Sequence, residues 1–84
     1  MNTEEREQAG RRNVLLVLRD CDGYLLPEIS LADQLRLQVQ PPPTQHEFST
    51  WLVWLDSNGY VAGIRPELGG PLKWKITDKG KLAL

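Results

Sequence analysis

The chain has 84 residues, which is enough for one folded domain and too few for two. It is 40% hydrophobic and 25% charged with a net charge of −1, an ordinary globular composition that excludes a disordered chain. A single cysteine, Cys21, excludes an internal disulfide, and no apolar run approaches the ~20 residues that a membrane span needs. We therefore expect a soluble, cytoplasmic protein with no membrane association.

The charge is distributed unevenly along the chain. Two basic and six acidic residues give the range 13–59 a balance of −4, whereas five basic and two acidic residues give the range 60–84 a balance of +3. The C-terminal third is therefore the part that favours contact with an anionic partner.

The first ten residues are polar. Thr3 with Glu4 and Glu5 could begin a helical turn there, but Gly10 weakens its continuation, so we expect a flexible segment over 1–10 and a folded domain over 11–84. Apolar residues at helical spacing predict the first helix from about Arg11 to Cys21. Asp22-Gly23 then ends it, because glycine readily adopts the left-handed conformation after a helix.

A short strand and a second helix follow. Tyr24–Leu26 is a brief apolar segment before a proline, which predicts an extended edge strand. Ser30, with Asp33 three residues later, predicts the N-cap of the second helix. The buried positions expected on this helix are Leu31, Leu35 and Val39. Pro41–Pro43 end it, because proline lacks the N–H that a helix requires.

Thr44 and Glu47 have the spacing of a capping box and predict the start of a third helix. Its apolar positions follow the i, i+3, i+4, i+7 pattern of a buried helix face: Phe48, Trp51, Leu52 and Leu55. Asn58-Gly59 marks its end.

The period then changes from helical to alternating. Tyr60–Arg65 and Leu72–Ile76 predict two strands joined by a Gly-rich loop over 66–71, which together form a β-hairpin. Thr77-Asp78 caps a short terminal helix that runs to Leu84. The sequence therefore predicts an α+β domain of three helices, a hairpin and a terminal helix.

Two motifs carry a resemblance to a known family. The stretch Trp51–Val61 resembles the end of the recognition helix of winged-helix regulators, and Trp74–Gly80 resembles the segment that follows their wing. The resemblance covers about residues 11–84 and implies a winged helix-turn-helix fold that binds double-stranded DNA. The chain also looks like small winged-helix proteins of Mu-like phages and prophages, which implies a source and little chemistry.

In a winged-helix DNA-binding protein the outer face of the third helix enters the major groove. The side opposite the apolar positions carries His46, Ser49, Thr50 and Val53, and Gln45 lies near the helix start. The Gln, His, Ser and Thr side chains among them can hydrogen-bond to base edges. These residues can equally form an ordinary solvated face. The helix has no Lys or Arg and contains Glu47 and Asp56, which disfavours binding to phosphate.

Other basic residues could supply the phosphate contacts. Lys73 and Lys75 project from one face of the last strand, Arg65 is expected opposite them, and Arg36 could clamp a phosphate from the second helix. Alternation alone would also place lysines on the surface, so ordinary surface lysines remain the alternative interpretation.

A second function is a protein–protein interaction or dimerisation module that does not bind DNA. Val53 and Trp54, if exposed beside Leu37, would form an apolar patch typical of an interface. The alternative is that the N-terminal segment or the terminal helix covers Trp54. A homodimer would suit either function.

The sequence contains no catalytic constellation, so we expect neither an enzyme nor a bound cofactor. His46 lacks the cysteine or carboxylate partners of a triad or zinc site. Asp20–Gly23 lacks the further ligands of a calcium loop, so no metal is expected. The leading hypothesis is a small DNA-binding protein that resembles a transcription regulator.

Overall fold

A computed structural model describes residues 2–84 and shows four helices and one three-stranded antiparallel sheet. The elements are α1 (Thr3–Asp20), β1 (Leu26–Pro27), α2 (Glu28–Gln38), α3 (Gln45–Ser57), β2 (Val61–Ile64), β3 (Lys73–Ile76) and α4 (Asp78–Leu82). The predicted α+β class and the predicted order of helices and hairpin are confirmed. None of the helices within the described residues is long and apolar enough to cross a membrane.

Helix α1 begins at Thr3, so the start predicted near Arg11 is wrong by about two turns. Asn2 caps the helix, because its side chain accepts a hydrogen bond from the Glu5 N–H at 2.8 Å. Gly10 does not end the helix. The indole of Trp51 packs directly against it, and a Cβ at this position would lie 2.5 Å from the ring. Residues 3–10, expected to be flexible, are therefore part of a helix that packs on α3.

Helix α2 begins at Glu28, so the predicted cap at Ser30 is wrong. Pro27 occupies the cap position and makes no side-chain hydrogen bond there. The start is held instead by the hairpin. The Glu28 N–H donates to the Leu72 carbonyl at 3.0 Å, and Trp74 Nε1 donates to the Glu28 carboxylate at 3.0 Å. The proline ring fixes φ at −58°, a value that a helix also uses, and a ψ of 144° keeps Pro27 itself extended at the end of β1.

Helix α3 has the capping box that the sequence predicts. Thr44 Oγ1 accepts from the Glu47 N–H at 3.1 Å, and Glu47 Oε1 accepts from the Thr44 N–H at 3.0 Å. The helix ends at Ser57, where Asn58 is the C-cap and Gly59 follows with a φ of 79°. All four predicted apolar positions of α3 are buried.

The sheet has the order β1-β3-β2, so the last strand lies in the middle. Trp74 and Ile76 of β3 face inwards with Val61 of β2, whereas Lys73 and Lys75 alternate with them on the outer face. The helices cover the inner face. The core residues are Val14, Leu15, Val17, Leu18, Leu31, Ala32, Leu35, Val39, Phe48, Trp51, Leu52, Leu55, Val61, Trp74 and Ile76.

Thr77 joins the last helix to the end of α3. Its Oγ1 accepts from the Gly80 N–H at 3.1 Å, which confirms the predicted cap, and donates to the Gly59 carbonyl at 2.6 Å. The helix can approach the chain at Tyr60 because position 80 has no side chain. A Cβ on Gly80 would lie 2.3 Å from the Tyr60 carbonyl oxygen.

Candidate nucleic-acid interface

The outer face of α3 is open to solvent along its whole length. Its buried side packs against α1 and the sheet, so the residues half a turn away point outwards. All four predicted hydrogen-bonding residues are exposed: Gln45, His46, Ser49 and Thr50. The one hydrogen bond among these four side chains joins Gln45 Nε2 to Ser49 Oγ at 3.3 Å. The face therefore presents polar groups that are nearly all free to bind a partner.

A shallow hollow of about 480 Å³ lies on this face. Seven residues line it: His46, Ser49, Thr50, Val53, Trp54, Ser57 and Asn58. None of them is a Lys, Arg, Asp or Glu residue. The hollow combines hydroxyl, imidazole and amide groups with the apolar surfaces of Val53 and Trp54, so it suits a neutral, partly apolar ligand surface.

The carboxylate of Glu47, expected to oppose DNA binding, is turned away from this face towards α1. Arg6 binds it in a bidentate manner, with Nε 2.5 Å from Oε2 and Nη2 3.0 Å from Oε1. The Arg6 guanidinium, assisted by the Thr44 N–H, lowers the pKa of Glu47 from 4.5 to about 2. Arg6 Nη2 also donates to the Pro41 carbonyl at 2.9 Å. The objection from Glu47 is therefore removed, because its charge is compensated within the domain.

The outer face of the sheet carries the predicted lysines. Lys73 and Lys75 share this face, and the register places Ile64 opposite Lys73 and Ala62 opposite Lys75. The prediction that Arg65 lies opposite the lysines is wrong, because the paired ladder ends at Ile64 and Arg65 follows it in the exposed loop. The three cations nevertheless belong to one hairpin.

Half of the ten Lys and Arg side chains are engaged within residues 2–84. The engaged cations are Arg6 with Glu47, Arg11 with Glu7, Arg36 with Asp33, Lys81 with Asp22, and Lys79 with the Asn58 carbonyl. Arg36, predicted as a phosphate clamp, thus has a carboxylate 2.6 Å away. The cations with no such partner among these residues are Arg12, Arg19, Arg65, Lys73 and Lys75.

The three predicted interface residues are exposed to different degrees. Leu37 is 76% exposed and Val53 64%, whereas Trp54 is only 38% exposed. Leu37 lies on α2 and does not line the hollow that Val53 and Trp54 share. The structure thus places two of the three in one hollow.

Trp54 is partly covered by a stack of side chains that the sequence analysis missed. Its ring stacks on Tyr60 with centroids 5.8 Å apart, and the Arg11 guanidinium lies 4.0 Å from its centroid. Lys79 lies over the other ring of the stack, 4.7 Å from the Tyr60 centroid. Arg11 of α1 therefore covers one side of Trp54. This residue lies outside the segment 1–10 and the terminal helix, the two parts that the alternative interpretation named, and Trp54 remains partly exposed. The spacing of charged residues along the sequence does not predict the Arg11–Trp54 contact or the Arg6–Glu47 ion pair, because each joins distant parts of the chain.

Within residues 2–84, no group of three or more His, Cys, Asp or Glu side chains is placed to hold a metal ion. Comparison with protein-family models, curated proteins and solved structures finds no match for this chain. The α3 face and the hairpin are therefore the features that bear on function.

Proposed function

We propose that the chain is a winged helix-turn-helix domain that binds double-stranded DNA. Helix α3 would lie in the major groove and the β2–β3 hairpin would contact the adjacent phosphates. The element order supports this proposal, since two helices joined by a short turn precede an antiparallel hairpin. The sheet order β1-β3-β2 supports it too, because it fixes the hairpin to the helical body through β1.

The concentration on the hairpin of cations that have no hydrogen-bond or ion-pair partner among residues 2–84 carries this proposal. Arg65, Lys73 and Lys75 are three of the five cations without a partner among residues 2–84, and they lie on the element that directly follows α3. Phosphate contacts supply most of the non-specific affinity of DNA-binding proteins, and base contacts supply the specificity. The hairpin offers cations for phosphate contacts, and the α3 face offers hydrogen-bonding groups for base contacts.

The number of cations sets the expected salt dependence. Three phosphate contacts give a slope of log affinity against log salt of about −2.7, so affinity should fall about 40-fold between 50 and 200 mM salt. A dimer that places two hairpins on one duplex would double this slope. The salt slope therefore depends on the number of phosphate contacts in each protein chain and on whether the protein binds as a monomer or as a dimer.

The test is a fluorescence-anisotropy titration of a 20-base-pair mixed-sequence duplex at several salt concentrations, with the solution mass measured alongside. The double variant Lys73→Gln, Lys75→Gln should weaken binding at low salt and reduce the slope by about 1.8. The matched control is Arg12→Gln with Arg19→Gln, which removes two uncompensated charges from α1. An unchanged slope in the lysine variant, or no binding at tens of micromolar protein, would refute the proposal.

A second candidate is an interaction module that pairs through α3 and leaves DNA unbound. The hollow on α3 favours it, because no Lys, Arg, Asp or Glu lines the hollow and the centres of protein interfaces are depleted of charged residues. In a two-fold dimer through this face, Val53→Glu would bring like charges together and should convert a dimer to a monomer in sedimentation. A wild-type monomer that fails to bind DNA would leave a different protein as the partner.

A further inference from the structure

The outward side chains of α3 also indicate which base pairs the helix would read. This inference rests on the proposed function. In the major groove guanine presents two acceptors, which proteins most often contact with Arg or Lys. Neither residue type occurs anywhere in the sequence of α3, Gln45–Ser57. The face therefore lacks the usual means of recognising guanine.

Adenine presents an acceptor beside a donor, and a glutamine amide matches both. Gln45 is the first residue of α3 and is exposed, and the N-terminal residues of a recognition helix lie nearest the bases. Its Nε2 donates to Ser49 Oγ at 3.3 Å. Because an amide nitrogen carries two hydrogens, Gln45 can keep this bond while its second hydrogen and its Oε1 face adenine. Ser49 thus orients the amide before any DNA is bound.

Thymine is the base that adds an apolar group, the C5 methyl, to the major groove. Val53 is 64% exposed, and it lines the α3 hollow with Thr50 and Trp54. An apolar side chain in such a hollow gains free energy by contacting a methyl group and offers nothing to guanine or cytosine. Val53 follows Gln45 by eight residues, which is about 12 Å along the helix axis. The two residues would therefore contact different base pairs.

We infer that α3 recognises A·T base pairs, with Gln45, oriented by Ser49, reading adenine and Val53 reading a thymine methyl group. Lys73 and Lys75 would supply the sequence-independent phosphate contacts. Substitutions on α3 should then change sequence specificity and leave the salt slope unaltered, whereas substitutions of the hairpin lysines should change the salt slope.

The experiment begins with selection of bound duplexes from a pool with 20 randomised base pairs. We expect the enriched duplexes to share a core of A·T pairs. The enriched duplex is then resynthesised with deoxyuridine in place of thymidine, which removes only the methyl group. Wild-type affinity should fall about fourfold, the value of one buried methyl-sized group. Val53→Ala should lose this discrimination and keep the wild-type salt slope. Because the methyl group lies in the major groove, this result would also exclude recognition through a narrow minor groove.

Gln45→Ala should weaken binding to the enriched duplex by about fivefold or more, the loss of one bidentate base contact. Gln34→Ala, at an exposed position on α2, is the matched control and should bind as the wild type. Circular dichroism verifies that each variant is folded. Salt-dependent binding with no enriched sequence, a G·C core, or equal affinity for the uridine duplex would overturn this inference and leave the proposed function standing. Failure to bind any duplex would overturn both.

Discussion

Replacing Gly10 of α1 by alanine has two effects of opposite sign on the free energy of unfolding. In a helix interior alanine is more stable than glycine by about 1 kcal/mol. At this position, however, the new Cβ would lie 2.5–2.6 Å from three atoms of the Trp51 indole, where ordinary contact begins at 3.4 Å. Trp51 is 1% exposed, so the ring has no solvent into which to move. Overpacking of this severity costs roughly 3 kcal/mol, and we expect a net loss of about 2 kcal/mol.

The assay is urea denaturation followed by circular dichroism and tryptophan fluorescence. Gln8→Ala compared with Gln8→Gly gives the helix-propensity difference at an exposed position of the same helix, and alanine should be the more stable of the two. In a Trp51→Phe background the smaller ring leaves space, so Gly10→Ala should cost at least about 0.5 kcal/mol less. If Gly10→Ala were as stable as the wild type in the presence of Trp51, the close packing of α1 on α3 would be refuted.

Two further predictions concern the polar contacts between elements. The Arg6 guanidinium lowers the pKa of Glu47 from 4.5 to about 2, so the contribution of this pair to stability should be complete above pH 4.5 and be lost as the pH falls towards 2. Glu47→Gln should remove that part of the acid dependence in denaturation curves recorded between pH 2 and 6, and an unchanged pH profile would contradict the pairing. Thr77→Ala should destabilise the fold by about 1–2 kcal/mol, because it removes the α4 cap and the bond to the Gly59 carbonyl, whereas Thr77→Ser should retain both. Equal stability of the alanine and serine variants in urea would show that these bonds do not hold α4.

The candidate site was predictable where it depends on a single element. The spacing of Phe48, Trp51, Leu52 and Leu55 fixes which side of α3 is buried, and the exposed hydrogen-bonding face follows from it. Alternation along β3 likewise separates Lys73 and Lys75 from Trp74 and Ile76. The environment of Glu47 was not predictable, because Arg6 approaches it from 41 residues earlier in the chain.

The sequence by itself determined the features that are decided within a few residues. They include the capping box at Thr44, the cap at Thr77, the apolar faces of the helices, and the two strands of the hairpin. Local hydrogen bonds and the periodic spacing of apolar side chains set these features, and both depend only on residues that are close in the sequence.

Only the tertiary structure decided that α1 continues through Gly10 and that α2 begins at Glu28. Helix α1 extends back to Thr3 because Gly10 fits the Trp51 ring and Arg6 reaches Glu47, so packing outweighs the low helix propensity of glycine. Helix α2 begins at Glu28 because the hairpin binds that residue through Leu72 and Trp74. Contacts between residues more than forty positions apart leave no spacing pattern in the sequence that would predict them. They exist only once the core has formed.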